Sequence, residues 1–314
     1  MMATLRLILL GVLVRSSGAT LANDPDYPKY ERFLRKFRPA QAERRRMNSN
    51  SAERFAIFKR ALRDLETQRK RDPNARYSIN AFSDLSEAEF LAQWTGHTQN
   101  VSAHSRVHAH ADDINATHRR RAQGQATTID WRFNQGGRVT LVKNQGGCGS
   151  CWAFAAIQQL ESDHAIANGH LLVLSAQQLT SCTYAPSRNG CNGGRAEQAI
   201  TAAIQRGGIM LESEYPYTGR SPPCAFSAER SVTRPVSMWS SSGSETPMIE
   251  RIFTSPITVA IDAGAYRFYS GGVMGCNAGG RNVNHAVQAV GYNGEQPGQE
   301  YWCEGSVALN AFTP

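Results

Sequence analysis

The run Asn144–Phe154 (Asn-Gln-Gly-Gly-Cys-Gly-Ser-Cys-Trp-Ala-Phe) sets the tightest limits on how this 314-residue chain can fold. Gly146, Gly147 and Gly149 surround Cys148 and read as a tight turn. Directly after it, Cys151 heads a segment in which Ala153, Ala156, Ile157 and Leu160 recur at helical spacing, with Asn168-Gly169 as the stop. A cysteine at a helix N-terminus feels the positive end of the helix dipole, which favours the thiolate, the nucleophilic form. A thiolate also needs an imidazole to hold it as an ion pair and to protonate a leaving amine. Val283–Tyr292 supplies one: His285 lies 134 residues beyond Cys151, beside an apolar run through Val287, Ala289, Val290 and Tyr292 that reads as a strand. The other seven histidines fall mostly in a polar stretch without comparable context.

The net charge of +8 is unevenly spread. Residues 20–125 hold 20 Lys/Arg against 13 Asp/Glu, whereas residues 126–314 hold 12 against 13. The basic runs Arg44–Arg46 and Arg119–Arg121 therefore belong to the front of the chain, where they read as solvated faces and cleavable linkers rather than a nucleic-acid patch. Residues 1–22 read as a secretory signal, with Arg6 leading into the apolar run Leu7–Val14 and small-residue sites at 17–19 and 20–22. That run is too short to span a membrane, and no later stretch is long enough. The expected setting is the secretory pathway, extracellular or lysosome- and vacuole-like, where cysteines can pair.

Residues 27–94 look helical and charged. Phe55, Phe58, Leu62 and Leu65 form one apolar stripe, Asp72-Pro73-Asn74 breaks it, and Tyr77–Leu85 alternates like a short strand. Ser83 or Ser86 can cap a following helix, with Glu89 as capping-box partner of Ser86. Residues 96–128 are polar, without apolar periodicity, and suit an exposed linker ending in a cleavage region. Asn100-Val-Ser102 and Asn115-Ala-Thr117 are glycosylation sequons. Ser175–Gln178 reads as a capping box for the helix leading to Cys182.

The segment around Cys151 resembles the nucleophile motif of the papain-like cysteine peptidases, and the separation from His285 falls in that family's range of roughly 130–150 residues. The front segment resembles the inhibitory propeptide of the cathepsin L-like branch: Arg54, Phe58, Leu65, Asn80, Phe82 and Asp84 match its pattern, while Asn50 and Ala61 depart from it. The resemblance implies an α+β, two-lobed fold, with a helical lobe carrying Cys151 and an antiparallel β-barrel lobe, incomplete here, carrying His285. It implies four parts: a signal peptide (1–22), an inhibitory propeptide domain (23–95), a linker and maturation region (96–126), and a peptidase domain (127–314) opening near Ile129-Asp130-Trp131. Gln145 would supply an oxyanion donor beside the Cys151 backbone N–H. Gly193 and Gly194 would let an extended substrate pair with the chain. Arg195, Ala260 and Ala286 would wall the pocket for the second residue before the cut, admitting bulky or acidic side chains. The implied disulfides are Cys148–Cys191 and Cys182–Cys224. The implied partners are peptide or protein substrates and the chain's own propeptide, with no cofactor, no nucleic acid and no membrane after signal removal, in a monomer. No metal is implied, because the cysteines are not at zinc-ligand spacing with paired histidines.

The tail departs from the pattern. Tyr301-Trp302 matches the strand leading to the family's orienting asparagine, yet Ser306 stands at that place, and the tryptophan and last strands beyond it are missing. Asn310 does not match its context, and Cys276 is left with Cys303 as its one unassigned cysteine. An aberrant or truncated C-terminus would account for this. Two functions follow: a cysteine endopeptidase made as a zymogen, or a catalytically impaired homologue that binds peptides or proteins.

Overall fold

The computed structural model describes residues 23–39, 49–96, 120, 121, 123–183, 190–241, 245–275, 282–296 and 298–305. The signal segment, both sequons, most of the linker, Cys276, Ser306 and Asn310 lie outside the described residues.

The front segment opens with helix α1 (Tyr27–Phe37), which carries Pro28 in its first turn, where the missing N–H costs nothing. Helix α2 (Ser49–Arg71) stops where Asp72-Pro73 forbids a further turn. Tyr30 and Phe33 of α1 pack on Phe55 and Phe58 of α2, with the Phe33 and Phe58 ring centroids 5.1 Å apart. Strand β1 (Ala75–Tyr77) ends where the alternation at 77–85 predicts a strand to begin, and residues 81–84 form turns instead. The reason is local: the Asn80 side chain accepts the Phe82 N–H at 3.0 Å and the Ser83 hydroxyl accepts the Asn80 N–H at 3.0 Å, so side chains rather than a neighbouring strand take these donors. Helix α3 (Glu87–Trp94) begins with the full capping box of Ser86 and Glu89.

Strand β2 (Thr128–Asp130) leads, after a glycine-rich loop, to helix α4 (Cys151–Asn168), closed by Gly169 in the left-handed conformation. Helices α5 (Ala176–Cys182) and α6 (Ala196–Arg206) pack on α4 around Trp152, Ile157, Leu174, Leu179 and Ile200. Ser175 caps α5 by accepting the Gln178 N–H, but the box is half formed: the Gln178 side chain turns away to bond Gly208 O at 2.8 Å and Met210 N at 2.9 Å. Strands β3 (Ile209–Met210) and β4 (Ser231–Thr233) pair antiparallel across a long connection, followed by helix α7 (Thr246–Ile252).

The second lobe contains β5 (Ile257–Ile261), β6 (Tyr269–Gly272), β7 (His285–Asn293) and β8 (Tyr301–Gly305). Strand β7 is central: antiparallel β5 pairs with its first half, β2 with its second half, and β8 runs from Gln288↔Gly305 to Asn293↔Tyr301. Among the described residues this four-stranded sheet does not close into a barrel. Its core is Trp131, Ile249, Ile252, Ile257 and Tyr292, with the Trp131 indole donating to Ile252 O at 2.7 Å.

The front segment is bound to the second lobe. Strand β1 pairs antiparallel with β6, the Asn80 amide donates to Arg267 O at 2.7 Å, and Phe82 and Phe90 bury against Ala263 and Tyr266. Burying two phenylalanines contributes about 1.5–3 kcal/mol each, against roughly 0–1 for exposed ion pairs, so apolar burial dominates this docking.

Two carboxylates give the precursor opposed pH responses. The Arg54 guanidinium, 2.5 Å from Glu89, together with the Ser86 N–H, holds the Glu89 carboxyl down at about 2. Its contribution is present above the ordinary 4.5 and is lost as pH falls towards 2. Burial pushes Glu304 on β8 up to about 7, with the Tyr266 hydroxyl, 3.0 Å away, opposing that rise. Its contribution is full below 4.5 and is lost as pH rises through about 7. Denaturant midpoints of the precursor measured across pH 3–8 therefore peak in mild acid, and Glu304→Gln flattens the neutral limb while leaving the acid limb in place.

Candidate active site

Cys151 is the first residue of α4 and is fully buried, as is His285, the first residue of β7. Cys151, Ala155 and Ala286 form one buried cluster, so the first turn of α4 and the start of β7 meet. Cys151 thus sits at the positive helix end and at the seam between the lobes, against Ala286, the residue after His285.

The loop before Cys151 is tied down on several sides. The Cys148–Cys191 disulfide joins it to the segment carrying Gly193 and Gly194, and Cys182–Cys224 ties α5 to the loop after β3. This is the pairing that the resemblance implies. The described free cysteines are Cys151 and the half-buried Cys303. The Tyr217 hydroxyl donates to Gln145 O at 2.9 Å and lies 2.6 Å from the Ser150 hydroxyl, while its ring stands edge-on to Phe154 at 4.7 Å. Burial raises the Tyr217 pKa, the Ser150 hydrogen bond opposes the rise, and the charge of Cys151 adds to it. Tyr217 therefore stays protonated and holds the loop.

A stretch of the front segment fills the cleft. The Gln145 side-chain amide donates to Cys148 O at 2.9 Å and to Trp94 O at 3.3 Å. The Gly96 N–H donates to Asn284 O at 3.2 Å, next to His285, and Gly96 O accepts the Gly194 N–H at 2.8 Å. One residue of the front segment thereby bridges the glycine pair of the helical lobe and the histidine strand of the other. Glycine is required at both ends of this bridge. A Cβ on Gly96 would collide with the Gly149 carbonyl, and one on Gly194 would stand 2.6 Å from the Trp152 ring. Gly193, with φ 102°, adopts the conformation that sets its neighbour's N–H.

Ala260 and Ala286 line a cavity of about 980 Å³ between the lobes, together with Ala196, Glu197 and Glu304. Arg195 instead directs its guanidinium to Glu197 at 3.2 Å, and the cavity wall there is formed by Ala196 and Glu197. Among the described residues no group of three or more His, Cys, Asp or Glu could hold a metal ion, and no helix is long and apolar enough to cross a membrane. Sequence reasoning singles out Gln145, Cys151, His285 and the glycine pair; beside them the fold places Asn284, Tyr217 and Trp94–Gly96, which it does not single out. Asn284 and Trp94 act through their carbonyls, and Gly96 through both its backbone groups, so their side chains carry no signature.

Residues 125–305 match the family described as papain family cysteine protease. The chain is 31% identical to fruit bromelain of Ananas comosus, covering 94% of this chain and 81% of that protein. It is 32% identical to pro-cathepsin H of Mus musculus, covering 96% and 89%. The solved structure of digestive procathepsin L 3 from the Tenebrio molitor larval midgut is similar at a TM-score of 0.68 and 28% identity, covering 89% of this chain and 88% of that one.

Gly96→Val should lift the front segment from the cleft. Alkylation at Cys151 by iodoacetamide, read by peptide mass, then rises at least tenfold in the intact precursor, with Cys303 as internal reference; an unchanged rate would show that Gly96 does not close the cleft.

Proposed function

The chain belongs to the papain family of cysteine peptidases, and on that premise we propose that it is the zymogen of a secreted or lysosomal endopeptidase whose nucleophile is Cys151. The observation that carries this reading is the peptide backbone of Trp94–Gly96, held by Gln145, Gly194 and Asn284 where a substrate backbone would lie. A cleft that binds a peptide through main-chain groups accepts many sequences, and specificity is left to side-chain pockets.

In this reading the front segment, about residues 23–95, is the inhibitory propeptide, and cutting in 96–126 releases the domain that follows. The Cys151 thiolate attacks the scissile carbonyl carbon. A C–S bond forms, and the carbonyl π pair moves onto oxygen, stabilised by the Gln145 amide and the Cys151 N–H. As this intermediate collapses, the His285 imidazolium gives its proton to the departing amine and the C–N bond breaks. Water then attacks the thioester while His285 takes its proton, releasing a carboxylic acid and restoring the thiolate.

A second reading is favoured by one observation: Ser306 follows Gly305 where the family's pattern has the asparagine that orients the imidazole. With serine rather than asparagine at that place, the chain would keep the peptide-holding backbone contacts and act as a peptide-binding homologue.

The test is hydrolysis of a fluorogenic peptide by the acid-processed chain. Cys151→Ala is expected to abolish turnover, and Gln145→Ala to lower kcat on the order of a hundredfold to a thousandfold. Rates equal to the Cys151→Ala background would end the peptidase reading, and peptide binding retained in both proteins would establish the second.

A further inference from the structure

The C-terminal end of α4 carries a second group of titratable side chains, about 20 Å along the helix from Cys151. His164 is half-buried in the last turns, and Asn168 ends the helix. Gly169, left-handed at φ 82°, reverses the chain and carries the exposed His170 back over the helix. The two imidazoles meet at right angles, centroids 5.0 Å apart, with their Nε2 atoms 3.4 Å apart.

The other ring nitrogens are engaged by the scaffold. His170 Nδ1 lies 3.1 Å from Asn168 O. A carbonyl only accepts, so this nitrogen carries the hydrogen and leaves Nε2 a lone pair. His164 Nδ1 lies 3.1 Å from the Thr233 hydroxyl on β4 and 3.2 Å from the Asn168 amide. The amide only donates, so without an ion His164 Nδ1 accepts and its Nε2–H points at the His170 Nε2 lone pair; an ion at Nε2 would shift that hydrogen to Nδ1, where the Thr233 hydroxyl accepts it. Histidine ligands are oriented in this manner, with one nitrogen tied to an oxygen acceptor and the other free for a metal. Zinc–nitrogen bonds of 2.0–2.1 Å spanning a 3.4 Å gap subtend about 110°, the tetrahedral angle.

We propose that His164 and His170 form a two-histidine site for a divalent, imidazole-preferring cation of the Zn²⁺ class, with water completing the tetrahedron. Two protein ligands, rather than the three or four of catalytic and structural zinc centres, make the ion exchangeable. An ion here would fasten the end of α4 to the turn that follows it and, through Thr233, to the β3–β4 pair. The site lines the cavity between the lobes through His164, Asn168 and Thr233, so occupancy would stiffen one wall of that cavity without touching Cys151.

Calorimetric titration of the intact precursor with ZnCl₂ tests this. One ion per chain is expected to bind at His164 and His170. Its affinity should fall at least tenfold in His170→Gln, an exposed substitution with little risk to folding, and vanish in the His164→Gln, His170→Gln pair. Thr233→Val should weaken binding roughly tenfold to a hundredfold by removing the acceptor that orients His164, Cys151→Ala should leave it unchanged, and Mg²⁺ should not compete. Equal Zn²⁺ binding by the double variant, or no binding by the parent chain, would overturn the site and leave the two rings sharing only a proton.

Discussion

The burial of helix α4 is the constraint from which the rest of the architecture follows. Twelve of its eighteen residues are buried, so it is held by packing on nearly every side rather than by helix propensity. A helix so enclosed must satisfy the polar groups it takes inside. Glu161, fully buried, accepts from Lys143 at 2.9 Å, Thr140 at 2.5 Å and the Leu174 N–H at 2.8 Å. Burial drives its pKa up, and Lys143 pulls it back. Removing one partner of such a pair costs about 3–5 kcal/mol because the remaining charge is stranded. The same contacts fix the loop of residues 138–145 that delivers Gln145. The Gln288 amide, bonding Gln158 O and the Ser162 hydroxyl at 3.0 Å each, locks β7 and therefore His285 onto the opposite side. Cys151, at the start of this helix, and His285, on the strand bonded to it, are thus positioned by one helix.

The front segment exploits this rigidity. It reaches the second lobe through a β-ladder and an aromatic cluster, then sends Trp94–Gly96 across the seam. None of these contacts needs Cys151 to react. A peptide that follows the main-chain donors and acceptors of the cleft blocks it simply by occupying them, and the bulk of its binding comes from apolar surface farther away.

The parts legible in the sequence were those written in side chains at short range. Cys151 at a helix start, the Gly169 stop, the Ser86–Glu89 box and the break at Asp72-Pro73 all emerge from local rules, and each is present in the fold. His285 was legible because its strand context is apolar and its spacing matches a known pattern. What escaped was written in the backbone or brought together by long-range topology. Asn80 meets Arg267 across 187 residues, and Gly96 meets Gly194 and Asn284 through main-chain atoms alone. The strand expected over 77–85 gave way to turns because Asn80 and Ser83 satisfied the backbone themselves, and the strand that forms lies just before it, at 75–77. The histidine pair at the end of α4 depends on one left-handed glycine, a conformation that the Asn168-Gly169 stop implies but whose effect on His170 only the folded turn reveals.

The bridge made by Gly96 has a kinetic meaning once the connecting chain is cut. While joined, the blocking peptide is a neighbour whose effective concentration is set by linker length, and no dilution can remove it. After a cut in the linker the same contacts belong to two molecules, and their persistence depends on the volume available. A burst of release into a large compartment would uncover the cleft, whereas a crowded vesicle would keep it closed. The single-glycine bridge lends itself to this change because it is short and made of main-chain hydrogen bonds.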